Sequence, residues 1–159
     1  MTSRIAFESL NKDAFQRLYA FSSVLRKTSI EPALHHLVNI RASQVNGCAF
    51  CVDMHIKEAK IDGERELRLH HIGIWRESTL FSERERAALE WTELLTKLPE
   101  HGVSDEAFAK ARAQFSEVEL NDLTYCIISI NGWNRISIGF KNVPGSKDET
   151  YGLTKAGLN

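Results

Sequence analysis

The chain reads as all-α: a single-domain helical bundle of about six to seven helices. Three observations carry this. Apolar residues recur every three to four positions along most of the 159 residues. Two Ser-x-x-Glu sequences, Ser82–Glu85 and Ser116–Glu119, have the form of capping boxes that open helices. No segment alternates apolar and polar residues over the length of a strand. A chain of this length can bury a real core in one domain. Its 43% hydrophobic and 26% charged residues are the balance of a globular protein.

The elements follow in order. A first helix is expected from about Asn11 to Lys27, with Phe15, Leu18, Phe21, Ser22 and Leu25 along one side. Ser29-Ile30-Glu31-Pro32 opens the second, where Pro32 suits a first turn. That helix carries Leu34, Leu37, Val38 and Ile40 and ends near Gly47. A third runs from Cys48 to about Ile61 and is stopped by Asp62-Gly63. Glu64 to about Ile72 reads as a shorter helix. Ser82 opens the next, through Ala88, Leu89, Trp91, Leu94 and Leu95. Pro99 to Gly102 is a loop, and Ser104 caps a helix containing Phe108, Ala111 and Phe115. The last helix runs from Ser116 to about Phe140. With Ile127, Ile128, Ile130, Trp133, Ile136 and Ile138 it is apolar nearly all round, so it belongs in the centre of the domain or in a subunit interface. The domain thus spans 1–159, with a helical core of about 11–140. Residues 141–159, holding Pro144, Gly145, Gly152 and Gly157, read as an irregular tail.

Charge excludes some partners. With 20 Lys+Arg against 21 Asp+Glu and no block of like charge, neither nucleic acid nor a membrane surface is expected. The first residues lack the apolar run of a signal peptide, and no stretch approaches the roughly 20 apolar residues of a membrane span. A cytoplasmic location is the expectation. In that compartment a close cysteine pair is more often catalytic or metal-binding than structural.

The segment Ser43-Gln44-Val45-Asn46-Gly47-Cys48-Ala49-Phe50-Cys51-Val52-Asp53-Met54-His55 carries the chemistry. On a helix its two cysteines and His55 share one face over two turns. Two thiols one turn apart can form a disulfide, and a histidine one turn beyond the second favours its thiolate. Asn46-Gly47 marks a helix boundary, so both sulfurs fall in a first turn, where the macrodipole and unpaired N–H groups favour negative charge. A Cys48–Cys51 bridge closes too small a loop to stabilise the fold much. The segment is therefore read as a redox dithiol site, for which no cofactor or metal is expected. Zinc is the competing reading, because Cys-x2-Cys is a common half-site and His55 a possible third ligand. Cys126 reads as a core residue rather than the fourth ligand. Val52 directly after Cys51 argues against a c-type haem.

His36 lies on the helix before the dithiol and approaches it if the two helices pack antiparallel across Gly47; a solvated helix face is the other reading. Trp133 is read as packing. Asn131 and Asn134, if buried, must find hydrogen-bond partners along the pocket or a helix contact.

Residues Leu34 to Gly63, with Arg41-Ala42-Ser43-Gln44, Asn46-Gly47-Cys48, Cys51, Asp53-Met54-His55 and Glu58-Ala59, resemble the alkyl hydroperoxidase D-like branch of the carboxymuconolactone decarboxylase family. Phe81 to Leu89 and Ile130 to Arg135 are similar to members of the same branch. The resemblance implies an all-helical fold assembling as a homo-oligomer, a trimer or hexamer. It also implies thiol-dependent reduction of a hydroperoxide, with an external dithiol as reductant. It assigns Cys51 as the peroxidatic cysteine, Cys48 as its resolving partner and His55 as a relay. The family's glutamate twelve residues before the first cysteine is His36 here, and the histidine between the cysteines of the best-known peroxidase members is Phe50. The expected catalytic set is Cys51, Cys48, His55 and His36. A redox sensor or zinc-binding module, and a lactone decarboxylase relative, are the alternatives.

Overall fold

The structure, a computed structural model, describes residues 2–158, so Met1 and Asn159 lie outside it. Its regular elements are all helical among the described residues. In chain order they are α1 (Phe7–Leu10), α2 (Lys12–Leu25), α3 (Pro32–Asn46), α4 (Ala49–Ile61), α5 (Glu66–His71), α6 (Glu83–Thr96), α7 (Asp105–Arg112), α8 (Glu117–Phe140) and α9 (Asp148–Tyr151), with 3-10 turns at Ile72–Ile74 and Leu153–Ala156. The expected helices are present, except that α7 ends at Arg112 and leaves Phe115 in the connection to α8. The short α1 and α9 are additions, since neither is long enough to leave a periodic signal. None of the described helices is long and apolar enough to cross a membrane.

The predicted boundaries have their predicted causes. Ser82 and Ser116 each accept a hydrogen bond from the N3 backbone N–H, while Glu85 and Glu119 reach back to the cap N–H. Pro32 occupies the first turn of α3, and Asn11 caps α2 by accepting from the Ala14 N–H. Gly47 ends α3 with φ +70°, a left-handed conformation that costs an L side chain about 1–2 kcal/mol.

Two helices form the centre. α8, 24 residues long, packs against α2, α3, α4, α6 and α7. α3 packs against α4, α6 and α8, and buries Leu34, Leu37, Val38 and Ile40 together with His36, Asn39 and Ser43. Its buried residues, polar ones included, encircle it, as the sequence led us to expect of α8. α2 is only half-buried along its Phe15–Leu18–Phe21–Ser22 side, because that side overhangs a cavity.

The tail is more regular than its glycines and proline suggest. After Lys141 the chain turns back along α4, placing Leu153 and Ala156 in buried positions. Lys57 of α4 holds it there: its Nζ lies 2.9 Å from Asp53 Oδ1 and 2.6 Å from Asp148 Oδ2, and the Gly145 N–H donates to Asp53 at 3.0 Å. The Lys57 side chain is only 6% exposed, so removing it leaves two carboxylates poorly solvated and facing each other. Lys57→Ala is accordingly expected to lower the unfolding free energy by about 2–4 kcal/mol, measured by urea titration. Hydrogen exchange over residues 145–156 should rise in the same variant.

Candidate dithiol site

The site is built on the turn between α3 and α4. Gly47 donates to the carbonyls of α3's last turn, and the Cys48 N–H donates to the Ser43 carbonyl at 2.9 Å. Cys48 is then the N-cap of α4 and Cys51 sits in its first turn, as the Asn46-Gly47 boundary predicts. Their Sγ atoms lie 2.7 Å apart. Both are buried, in a small apolar cluster with Ala42, Ile130 and Phe50. Cys126 lies in the main core instead, and burial, with the Asp122 carboxylate nearby, pushes its thiol up to about 12.

The two neighbouring thiols titrate as a unit. The Cys51 S–H donates to Cys48 and overcomes the cost of burial. With the Cys51 backbone N–H, Asn134 and Ser137 adding to it, this brings the Cys48 thiol down to about 7. The proton left on Cys51 is held tightly, because it is donated to Cys48 and because burial and the Cys48 charge oppose a second thiolate.

A cavity of about 370 Å³ opens onto Cys51, while Cys48 lies behind it. Phe7, Phe15, Tyr19, Phe50, Trp133 and Tyr151 supply aromatic wall, and His35, Asn39, His55, Glu58 and Ser137 supply polar groups. Its volume is within the range of small-molecule sites. Trp133 packs edge-on against Phe15 and donates its Nε1–H to Ser22 Oγ at 2.7 Å. His55 is fixed by a carboxylate: its Nδ1 lies 2.7 Å from Glu58 Oε2, and Glu58 Oε1 accepts from Arg26 at 2.8 Å. Burial would raise the Glu58 carboxyl, but the His55 hydrogen bond and charge, then Arg26, bring it down to about 2. With Nδ1 engaged, Nε2 is the imidazole nitrogen His55 has left for other contacts.

The structure does not bring His36 to the thiols, and this corrects the expected set. Successive helix positions differ by about 100°. His36 therefore turns toward the end of α4, where its Nε2 meets Asp62 Oδ2 at 2.7 Å, beside a separate polar cavity lined also by Arg65, Arg68 and Glu85. The histidine of α3 that lines the Cys51 cavity is His35. Burial, aided by the charges of His55, His36 and Arg26 and opposed by Glu58, lowers it to about 4.

Asn131 and Asn134 lie in the helix contact behind the thiols. Asn46 Nδ2 donates to both, at 3.0 and 2.8 Å, and Asn134 donates onward to Ser43 Oγ at 3.0 Å. Among the described residues no three His, Cys, Asp or Glu side chains converge as a metal-binding set. Sequence reasoning missed Glu58, Arg26 and His35 as site groups. Of these only Glu58 left a local sign, its i+3 spacing from His55.

Residues 12–94 match the carboxymuconolactone decarboxylase family. The chain belongs to that family. Its alkyl hydroperoxidase D-like branch is supported by a solved structure from Agrobacterium tumefaciens, of a protein of unknown function assigned by name to AhpD-type antioxidant defence. That structure is 40% identical, superposes with a TM-score of 0.86, and the match covers 90% of this chain and 98% of the other. The uncharacterized protein YdfG of Bacillus subtilis (strain 168) is 36% identical over 147 residues, 92% of this chain and 100% of the relative. The debrominase Bmp8 shares the fold of this carboxymuconolactone decarboxylase family member at 18% identity, with a TM-score of 0.78 over 92% of this chain and 78% of that one.

Two of the cavity's groups, His35 and Glu58, make stability depend on pH on the acid side. The fold favours neutral His35, so its contribution is complete above its ordinary value of 6.5 and is lost as pH falls to about 4. The fold favours ionised Glu58, so its contribution is complete above 4.5 and is lost as pH falls to about 2. Each window carries about 3 kcal/mol. In denaturant titrations across pH, His35→Leu should flatten the upper window and Glu58→Gln the lower.

Proposed function

We propose that this protein is a thiol-dependent peroxidase that reduces hydroperoxides through a Cys48–Cys51 dithiol–disulfide cycle. One observation carries the reading: of two sulfurs 2.7 Å apart, Cys51 alone faces a cavity, and a Glu58-anchored histidine lines the same cavity. The resting negative charge of the pair is centred on Cys48. A proton shift between the two sulfurs places it on Cys51, which attacks the hydroperoxide. The S–O bond forms as the O–O bond breaks, leaving Cys51 sulfenic acid and an alkoxide. His55, held by Glu58, takes up the proton that the pair loses on ionising and returns it to the alkoxide, which leaves as an alcohol. The Cys48 thiol then displaces water from the sulfenic acid and closes the disulfide, and an external dithiol restores both thiols by exchange. The Cys51 backbone N–H supports the resting Cys48 thiolate at the N-cap of α4.

We extend the reading to a homo-oligomer, a trimer or hexamer, for which exposed Tyr125 and Ile128 on α8 and Val24 on α2 offer apolar surface. A monomeric mass by light scattering would exclude it.

The catalytic assignment is tested by counting thiols after one equivalent of hydroperoxide. Wild type is expected to lose two, and Cys48→Ser to trap a sulfenic acid at Cys51. Cys51→Ser should keep its remaining thiols. The wild-type rate should rise with pH through about 7, where the Cys48 thiol ionises. Loss of thiols from Cys51→Ser at the wild-type rate would overturn the roles.

A further inference from the structure

We propose that His35 is a catalytic hydrogen-bond donor, whose Nε2–H, oriented by Asn39, binds the oxygen that leaves as alkoxide when Cys51 attacks. The inference rests on the peroxidase reading above and assigns a residue outside the Cys48, Cys51 and His55 set.

The first support is position. His35 lines the same cavity as Cys51 and His55. The second is the tautomer. Asn39, one turn further along α3, places its Nδ2 at 3.3 Å from His35 Nδ1. An amide NH2 is a donor, so Nδ1 accepts, and a neutral ring then carries its single proton on Nε2. His35 makes no other hydrogen bond among the described residues, and its Nε2 is not among the buried, unpartnered atoms. That N–H is therefore open to the cavity.

The third support is the state of the donors that flank it. Arg26 Nη2 and His55 Nδ1 are engaged by Glu58. The Ser22 hydroxyl is engaged by Leu18, Ser129 and Trp133. Among the described residues, the Tyr19 and Tyr151 hydroxyls of the same cavity carry no carboxylate or amide partner that would orient them. The groups that face His35 electrostatically are His55, His36, Arg26 and Glu58, and burial leads them in keeping its ring neutral. A neutral N–H held in place before the reaction is suited to a charge that develops only as the O–O bond breaks, because the donor need not reorganise. His35 gives a hydrogen bond and keeps its proton; the proton balance of the step is unchanged.

The test uses the full chain and tert-butyl hydroperoxide in single turnover. His35→Leu is expected to slow thiol oxidation by about 10²–10³-fold, and His35→Gln, which keeps an N–H, to recover most of the rate. Iodoacetamide alkylation has no leaving alkoxide, so its pH profile should follow wild type in both. Nitrogen NMR of the resting protein should find the His35 ring neutral and protonated on Nε2 from pH 6 to 8. Asn39→Asp should move that proton to Nδ1 and slow oxidation as His35→Leu does. Oxidation of His35→Leu at the rate of a fast wild type, or an Nδ1-protonated ring in wild type, overturns the role of His35 alone. A wild type whose thiols survive the hydroperoxide overturns the peroxidase reading and this inference with it.

Discussion

The left-handed turn at Gly47 is the constraint on which the site depends. Its φ of +70° reverses the chain between α3 and α4. A residue with a Cβ would hold that conformation only at a cost of about 1–2 kcal/mol. Open space surrounds the position, so the demand comes from the backbone and not from crowding. The reversal makes Cys48 an N-cap, sets Cys51 in the first turn, and lays α4 along α3 so that His35 and His55 line one cavity. His35 would not share a cavity with Cys51 and His55 if α3 simply continued into α4, because the rise of 1.5 Å per residue would place it about 30 Å from His55.

The second requirement is that α8 be held at a fixed distance behind the thiols, and polar groups do this. Buried amides are costly unless paired. Asn46, Asn131, Asn134 and Ser43 satisfy one another across the α3–α8 contact, and Thr96 of α6 accepts from Asn131 at 3.0 Å. An apolar seam of the same volume would allow sliding; a set of directional bonds allows one register. That register also brings Asn134 and Ser137 to the sulfurs, where they favour the thiolate. The same residues therefore fix the helices and adjust the charge of the dithiol.

Much of this was legible in the sequence, and the reason is local. Caps, the Pro32 start, the Gly47 stop and the Cys48–Cys51–His55 face depend on residues within one or two turns of each other. The positions that escaped depend on the phase of one helix against another. His35 and His36 are adjacent and both are largely buried, yet only the crossing of α3 over α4 and α8 decides which lines the Cys51 cavity. Arg26 reaches Glu58 from α2, across 32 positions of chain, and nothing near either residue announces the contact. The tail reads as irregular because its two short helical turns are stabilised by Lys57 and α4, not by their own sequence.

The fold does not decide the chemistry, since a debrominase shares it at low identity; the groups around the cavity must. The two histidines at this cavity have opposite electrostatic settings. His55 has a carboxylate partner whose own ionisation is strongly favoured, so a proton on its ring is balanced by a fixed negative charge. His35 has an amide partner and positive neighbours, so a proton there has nothing to balance it. Two cations side by side in a poorly solvated cavity repel strongly, and placing Glu58 on one side only removes the conflict. One imidazole is thereby suited to exchanging a proton and the other to donating a hydrogen bond. In the proposed peroxidase the oxygen leaving beside Cys51 takes its proton from the one and a hydrogen bond from the other.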